Sequence, residues 1–277
     1  MQKLHKILIG IAFSPSLKTN LFEAVRIANM LDAELVGVHV GEKSKSKEQQ
    51  LSAVLKEAET LKTPLKTIWQ EGKPVKVILQ TCSQEKIDLL ILGALQQENL
   101  FKYYVGSIAR KLTRKALCSV LLMIKPSIER VPCKHIVVNG LKDKKTEETI
   151  KTAVTFSENL GCKKITIVEE ISQAELDVKV NDDKSLRKAT LIKERIKTRE
   201  DKRVKNILKE INCADISIKT QSIFGRRGYS IGHYAKVKRA DLLVMNAPST
   251  LSLLDRIFPH DIEYILSELP TDVLIVK

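Results

Sequence analysis

The feature that most constrains the fold of this chain is an internal repeat. The apolar run IDLLILGA at residues 87–94 returns as ADLLVMNA at residues 240–247, and other strand-like runs return in the same order. Self-similarity on this scale indicates two copies of one folding unit rather than a single irregular domain. The connection between the copies begins and ends with proline. We therefore predict a first domain at residues 1–127 and a second at residues 131–277, called the first and second half below.

Each copy alternates apolar strands with amphipathic helices. The strands predicted in the first half are residues 5–13, 33–41, 64–70, 87–94 and 119–125. Unbroken apolar runs are typical of strands buried on both faces, and strand–helix alternation predicts parallel pairing with right-handed crossovers. The predicted fold class is α/β, with two tandem doubly wound domains that each contain a five-stranded parallel sheet flanked by helices. Ligands in such sheets bind beyond the carboxyl ends of the strands, where the strand order reverses.

Apolar runs and cysteine spacing bear on location and on metal chemistry. No apolar run approaches the roughly 18–20 residues that a membrane-spanning helix needs, and the apolar N-terminus fits a first strand better than a signal peptide. The five cysteines are scattered and show no CxxC pair or metal-ligand spacing. We therefore expect reduced thiols in a cytoplasmic protein that is not a membrane protein and has no metal site.

Much of the net charge of +14 lies between Lys184 and Lys209, in a helix predicted at residues 185–211. Its apolar residues recur at helical spacing and predict one stripe that packs on the sheet. They are Leu191, Ile192, Ile196, Val204, Ile207 and Leu208. Acidic residues interrupt its basic face, which favours a solvated surface over a partner-protein or acidic-membrane contact. Nucleic acid is the least favoured partner, because aromatic residues make up only 4% of the chain.

One loop of the first half has the spacing of a phosphate-binding loop. Gly93 follows a buried strand, Gln96 comes three residues later, and Gly106-Ser107 begins the next helix. Glycines let a backbone approach phosphates closely, and free N–H groups at a helix start attract anions. The alternative is that Gly93 and Gly106-Ser107 only end a strand and cap a helix.

These motifs and the order of elements resemble the universal stress protein family in its tandem form, whose fold is adenine nucleotide alpha hydrolase-like. Some members bind ATP, so the resemblance implies ATP or a related nucleotide in the first half. The implied nucleotide-binding residues are Gly10, Ala12, Val40, Gly93, Gln96, Gly106, Ser107 and Ile108. The chain departs from the family at two of them: Ala12 replaces an Asp that contacts the nucleoside, and Gln96 replaces the second glycine.

The second half departs further from the family motif. It aligns Asn246, Ser249 and Pro259-His260 with the phosphate loop, and it places Gly140 where the nucleoside Asp stands. Pro259 has no N–H to offer a phosphate, so no nucleotide is expected here. A second group, made of Asp255, His260, Asp261 and Glu263, is better explained by helix capping than by catalysis or metal binding.

Two hypotheses about function follow. The first is a cytoplasmic stress-response protein, a non-enzymatic regulatory module whose first half binds ATP or a related nucleotide. The alternative is a nucleotide-free interaction module that docks a partner protein such as a membrane transporter. The resemblance also implies that the two halves pair with each other through the strands at 119–125 and 271–277, with further homo-oligomers left open.

Overall fold

The computed structural model describes residues 4–58, 65–96, 103–171, 181–211, 215–226, 228–247 and 261–277. In the first half the elements are β1 (Lys6–Gly10), α1 (Leu17–Leu31), β2 (Glu34–Val40), α2 (Lys45–Glu57), β3 (Lys66–Gln70), α3 (Pro74–Gln84), β4 (Leu89–Gly93), β5 (Leu95–Gln96), β6 (Tyr103–Tyr104), α4 (Ser107–Lys115) and β7 (Ser119–Met123). In the second half they are β8 (Ile136–Asn139), α5 (Thr146–Leu160), β9 (Lys164–Ile171), α6 (Asp183–Lys209), β10 (Ser217–Phe224), α7 (Tyr229–Val237), β11 (Leu242–Asn246), α8 (Asp261–Ser267) and β12 (Asp272–Val276).

A single ten-stranded sheet runs through both halves in the order β10-β9-β8-β11-β12-β7-β4-β1-β2-β3. Within this ten-stranded sheet, neighbouring strands of the same half pair parallel, whereas β7 and β12 pair antiparallel, with Leu121 opposite Leu274. Each half therefore contributes five parallel strands, and the predicted fold class is confirmed. The final strands of the two halves join, as the resemblance implied. We call this junction the seam.

Two hydrophobic layers cover the sheet because successive side chains of a strand point to opposite faces. In β4, Leu89 and Ile91 belong to the layer that also contains residues of α1, α2, α5 and α6, whereas Leu90 and Leu92 belong to the layer that contains residues of α3, α4, α7 and α8. These strand residues are buried almost completely. The described helices include none with the length and hydropathy that crossing a bilayer requires.

An aspartate that occurs at the same place in both repeats forms a partly buried anchor between strands. Asp88 Oδ2 accepts backbone hydrogen bonds from His5 at 2.8 Å and Lys6 at 3.0 Å. In the second half, Asp241 Oδ2 accepts them from Lys134 at 2.7 Å and His135 at 2.9 Å. Each carboxylate thus ties the start of its fourth main-sheet strand to the start of the first.

Helix α6 differs from the prediction in its start and in its packed stripe. It begins at Asp183, because Asp182 accepts a hydrogen bond from the Ser185 amide in a capping box. Ile196 and Val204 are buried as predicted, but Leu191 is 55% exposed. At 100° per residue, Leu191 lies about 140° around the helix from Ile196, which places it on another face. The apolar stripe is therefore narrower than the sequence indicated.

Candidate functional site

The carboxyl ends of three neighbouring strands bring together three of the predicted site residues. Gly93, Gly10 and Val40 are the last residues of β4, β1 and β2, which lie side by side in that order. Neighbouring strands are about 4.8 Å apart, so the three ends span about 10 Å. Ala12 follows β1 and is exposed at the same edge. We call this region the first-half edge.

The start of α4 is open to an anion. Gly106 is its N-cap residue and has no side chain that could accept from the first-turn amides, and that turn contains no acidic residue. Ser107 and Ile108 are both exposed. Uncapped amides and the positive end of the helix dipole therefore point outward from residues 106–108.

The loop between β4 and α4 folds into a short antiparallel ladder. Leu95 pairs with Tyr104, and the backbone of Gln96 pairs with Tyr103. A Cβ atom added to Gly106 would lie 2.9 Å from Leu95 Cδ1. Because Gly106 has an ordinary φ of −60°, the contact with Leu95 explains the glycine better than its backbone conformation does. A phosphate at the helix start must share this space with the half-exposed Leu95.

Asn20, which the sequence did not single out, lies against Gly93. A Cβ atom on Gly93 would be 3.2 Å from Asn20 Oδ1. The Asn20 Nδ2 group donates to Ser16 Oγ at 3.2 Å, whereas Oδ1 is buried and has no hydrogen-bond partner among the described residues. Asparagine side chains are common on the exposed faces of amphipathic helices, so the sequence does not indicate that Asn20 lies beside Gly93.

An aromatic cluster forms the other side of the first-half edge. Phe13 stacks on Trp69 at a centroid distance of 5.9 Å, and His39 meets both rings edge-on. His39 Nδ1 lies 2.9 Å from the carbonyl oxygen of Ile11, and its Nε2 lies 3.3 Å from Lys47 Nζ. Because a lysine ammonium group only donates, Nε2 accepts and Nδ1 carries the proton. Trp69 therefore packs within this cluster.

The loop is also held by the second half. The amide of Val105 donates to the Leu266 carbonyl at 3.1 Å, and the amide of Leu269 donates to the Tyr103 carbonyl at 2.9 Å. Arg110, a basic residue near the predicted site, pairs with Glu263 of α8 at 3.1 Å. Glu263, which lies close to His260 and Asp261 in the sequence, therefore forms an ion pair that joins the two halves.

In the second half, the corresponding edge is filled by the protein's own side chains. The amide of Gly140 donates to the Val168 carbonyl at 2.7 Å, as that of Ile11 does to Val38 at 2.8 Å. Gly140 therefore corresponds to Ile11, and the residue in the place of Ala12 is Leu141. This corrects the sequence alignment, which gave Gly140.

Arg203 of α6 occupies this second edge. Its guanidinium group donates to the Gly140 carbonyl and to Glu169, and its Nε donates to Glu200 at 2.8 Å. Both carboxyl groups are buried. Burial, and then the hydrogen bond with Glu200, raises the pKa of Glu169 to about 7. Burial opposes ionisation of Glu200, but hydrogen bonds from Glu169, Arg203 and Arg199 hold its pKa at about 2.

The other second-half candidates have structural partners or lie outside the described residues. Asn246 Nδ2 donates to Thr146 Oγ1 at 3.2 Å. Glu170 accepts from the amides of Gly228 at 2.8 Å and Ile231 at 2.7 Å, so a carboxylate of the chain itself occupies the start of α7. The predicted residues outside the described part are Ser249, Asp255, Pro259 and His260. Across the described residues, no cluster of three or more His, Cys, Asp or Glu could hold a metal ion.

Comparisons with known proteins agree with this architecture. A model described as the universal stress protein family matches residues 3–123. A universal stress protein of Methanocaldococcus jannaschii is 26% identical over 125 residues, which cover 38% of this chain and 74% of the relative.

Solved structures match nearly the whole chain. A functionally unknown protein of Pseudomonas aeruginosa aligns with a TM-score of 0.71 at 18% identity, over 99% of this chain and 92% of its own. A universal stress protein of Archaeoglobus fulgidus aligns with a TM-score of 0.66 at 14% identity, over 98% of each chain. At these identities the likeness establishes the fold of both halves.

Proposed function

We propose that this chain, whose residues 3–123 match the universal stress protein family model, is a stress-response regulator whose first half binds ATP or a related adenine nucleotide. The observation that carries this proposal is the open start of α4 beside the glycine-terminated strands of the first-half edge. Uncapped helix amides and closely approachable backbone are what a polyphosphate requires.

The bound nucleotide would divide between two groups of residues. Gly10, Ala12 and Val40 would contact the nucleoside through the ends of β1 and β2. The amides of the loop and helix start would contact the phosphates, together with the Ser107 hydroxyl. The residues of this second group are Gly93, Gln96, Gly106, Ser107 and Ile108. Asn20 adds a side-chain amide beside Gly93.

Two features predict weak binding. Ala12 cannot accept a hydrogen bond from a ribose hydroxyl, because its side chain has no polar atom. The contact of Leu95 with Gly106 occupies space at the helix start. We therefore expect a dissociation constant between about 1 μM and 1 mM, which corresponds to roughly 4–8 kcal/mol of binding free energy.

The second half would serve a structural and regulatory role rather than hold a second nucleotide. Arg203 and Glu169 occupy its edge, and residues 266–269 hold the first-half loop. We propose a non-enzymatic module, since binding to backbone amides requires no reaction chemistry. A cytoplasmic location suits its scattered cysteines.

A negative charge introduced at the start of α4 tests the proposed nucleotide site. Ser107→Asp adds a carboxylate that complements the dipole of α4, so the fold should be kept while phosphate is repelled. We expect ATP to raise the melting temperature of the wild type and to bind measurably by calorimetry, and Ser107→Asp to weaken binding at least tenfold. The matched control is Thr190→Asp, the same charge change on exposed α6, which should bind ATP normally. Equal binding by Ser107→Asp and wild type would contradict the proposed site.

The contact between Leu95 and Gly106 also favours a second candidate function, the nucleotide-free module that docks a partner protein. A ligand selective for the native state must stabilise it by mass action. If none of ATP, ADP, AMP or cyclic AMP changes the melting temperature of the wild type at millimolar concentration, this candidate replaces the first.

A further inference from the structure

Two thiols lie together at the amino edge of the first half, opposite the proposed nucleotide site. Cys82 belongs to α3, and Cys118 directly precedes β7. Their residues are 7% and 8% exposed, and both line a recess of about 270 Å³. Two lysines, Lys86 and Lys115, line the same recess. Spacing does not reveal this pair, because 35 residues separate the two cysteines in the chain.

The two thiols line the same recess and interact with each other, and this interaction makes their pKa values unequal. The interaction with the Cys82 side chain lowers the pKa of Cys118, although burial opposes the effect. The same interaction, followed by burial, raises the pKa of Cys82. Cys118 therefore ionises more readily than Cys82. A thiolate next to a resolving thiol is the arrangement found in redox-active cysteine pairs.

We propose that Cys82 and Cys118 form a reversible dithiol–disulfide centre that is oxidised by a small peroxide. The Cys118 thiolate attacks one peroxide oxygen, the O–O bond breaks, and the leaving hydroxide takes a proton to become water. The resulting sulfenic acid is then attacked by the sulfur of Cys82, which loses its proton as the sulfenic oxygen leaves as a second water. One hydrogen peroxide is reduced to two waters, and the two sulfurs lose two electrons together.

The recess suits this oxidant. A water molecule takes up about 30 Å³ in the liquid, so a cavity of this size admits a peroxide but excludes large disulfides. Lys277 favours the thiolate form of Cys118, and Lys86 and Lys115 in the wall of the recess favour the developing hydroxide. In a reducing compartment such a pair remains in the dithiol form until an oxidant reacts with it, which distinguishes it from a structural disulfide.

The first test maps disulfides in the full-length wild type. The protein is treated with a few equivalents of hydrogen peroxide, alkylated, digested with trypsin without reduction and analysed by mass spectrometry. Lys86 and Lys115 place the two cysteines on separate tryptic peptides, so the disulfide appears as one cross-linked species that dithiothreitol separates. Alkylation of both cysteines after treatment, or their recovery only in links between molecules, would overturn the proposal.

Single variants test the division of roles. In Cys82→Ser we expect Cys118 to accumulate as sulfinic acid, because no resolving thiol remains. In Cys118→Ser we expect hydrogen peroxide to oxidise Cys82 at least tenfold more slowly than in the wild type. The matched control is Cys133→Ser, which should form the Cys82–Cys118 link at the wild-type rate. Oxidation of Cys82 at an unchanged rate in Cys118→Ser would show that the assignment is wrong. Should a variant fail to fold, the wild-type map alone decides whether the pair exists.

Discussion

At the scale of single residues, an aspartate that stabilises the sheet is repeated in both halves, whereas the residues of the candidate nucleotide site are not. Asp88 and Asp241 each accept two backbone hydrogen bonds with a single carboxylate oxygen. Hydrogen bonds to a charged acceptor are roughly twice as strong as neutral ones. The repeated Asp therefore serves to hold the strands in register.

We predict that Asp88→Ala and Asp241→Ala each lower the free energy of unfolding by about 2–3 kcal/mol. Each substitution leaves two N–H groups without their acceptor at the edge of the sheet. Chemical denaturation measures the change. Asp215→Ala, at an exposed turn position, is the control and should change the unfolding free energy by less than about 0.5 kcal/mol. A loss of the same small size for Asp88→Ala would show that the anchor contributes little.

The residues of the candidate site differ in whether the sequence predicts their positions. The strand-end positions of Gly10, Val40 and Gly93 followed from periodicity, since the carboxyl ends of parallel strands meet at one edge. Leu95 could not be predicted, because its contact with Gly106 arises from pairing with Tyr104 across the loop. Asn20 lies at the edge only because α1 packs across β4, which is a tertiary contact without a local pattern.

At the scale of elements, α6 is attached to the sheet by a buried charge cluster as well as by an apolar stripe. Its 27 residues carry few buried apolar side chains, and the guanidinium of Arg203 reaches β8 and β9. Helical spacing predicted that this helix exists, but the prediction placed its whole basic face, which includes Arg203, in solvent. A long side chain can cross to a neighbouring carboxylate, and helical periodicity does not detect this.

We predict that Arg203→Gln lowers the free energy of unfolding by about 3–5 kcal/mol, because it leaves Glu200 buried without its main cation. The control is Arg199→Gln: Arg199 also contacts Glu200, but its side chain is 60% exposed. That change should cost less than about 1 kcal/mol. Thermal or urea unfolding compares the variants. Equal effects from the two substitutions would contradict a special role for Arg203.

At the scale of the whole molecule, the seam contains a titratable group. Asp272 Oδ1 accepts from the amide of Ile124 at 2.8 Å. Burial, with a further contribution from Glu23 and Asp241, raises the pKa of Asp272 from 3.8 to about 7. The cations Arg26, Lys125 and Arg130 line the same cavity of about 280 Å³. Despite these cations, the seam favours the protonated acid.

We predict a pH-dependent stability that Asp272→Asn removes. A carboxyl group whose folded pKa exceeds its unfolded pKa contributes full stability below the unfolded value, and this contribution is lost as pH rises through the folded value. The wild type should therefore lose about 2–3 kcal/mol relative to Asp272→Asn between pH 5 and pH 8. Asparagine keeps the acceptor for Ile124. Denaturation at each pH measures the difference, and a constant difference would show that Asp272 does not titrate in this range.

The antiparallel joint between β7 and β12 has a geometric consequence. Strands within each half are parallel, so the carboxyl edge of one half opens at the end of the sheet opposite to that of the other. A small molecule at the first edge and a protein docked at the second would approach from opposite poles without steric competition. The fold thus permits simultaneous occupancy of both poles, and the loop shared across the seam is the connection through which one occupant could influence the other.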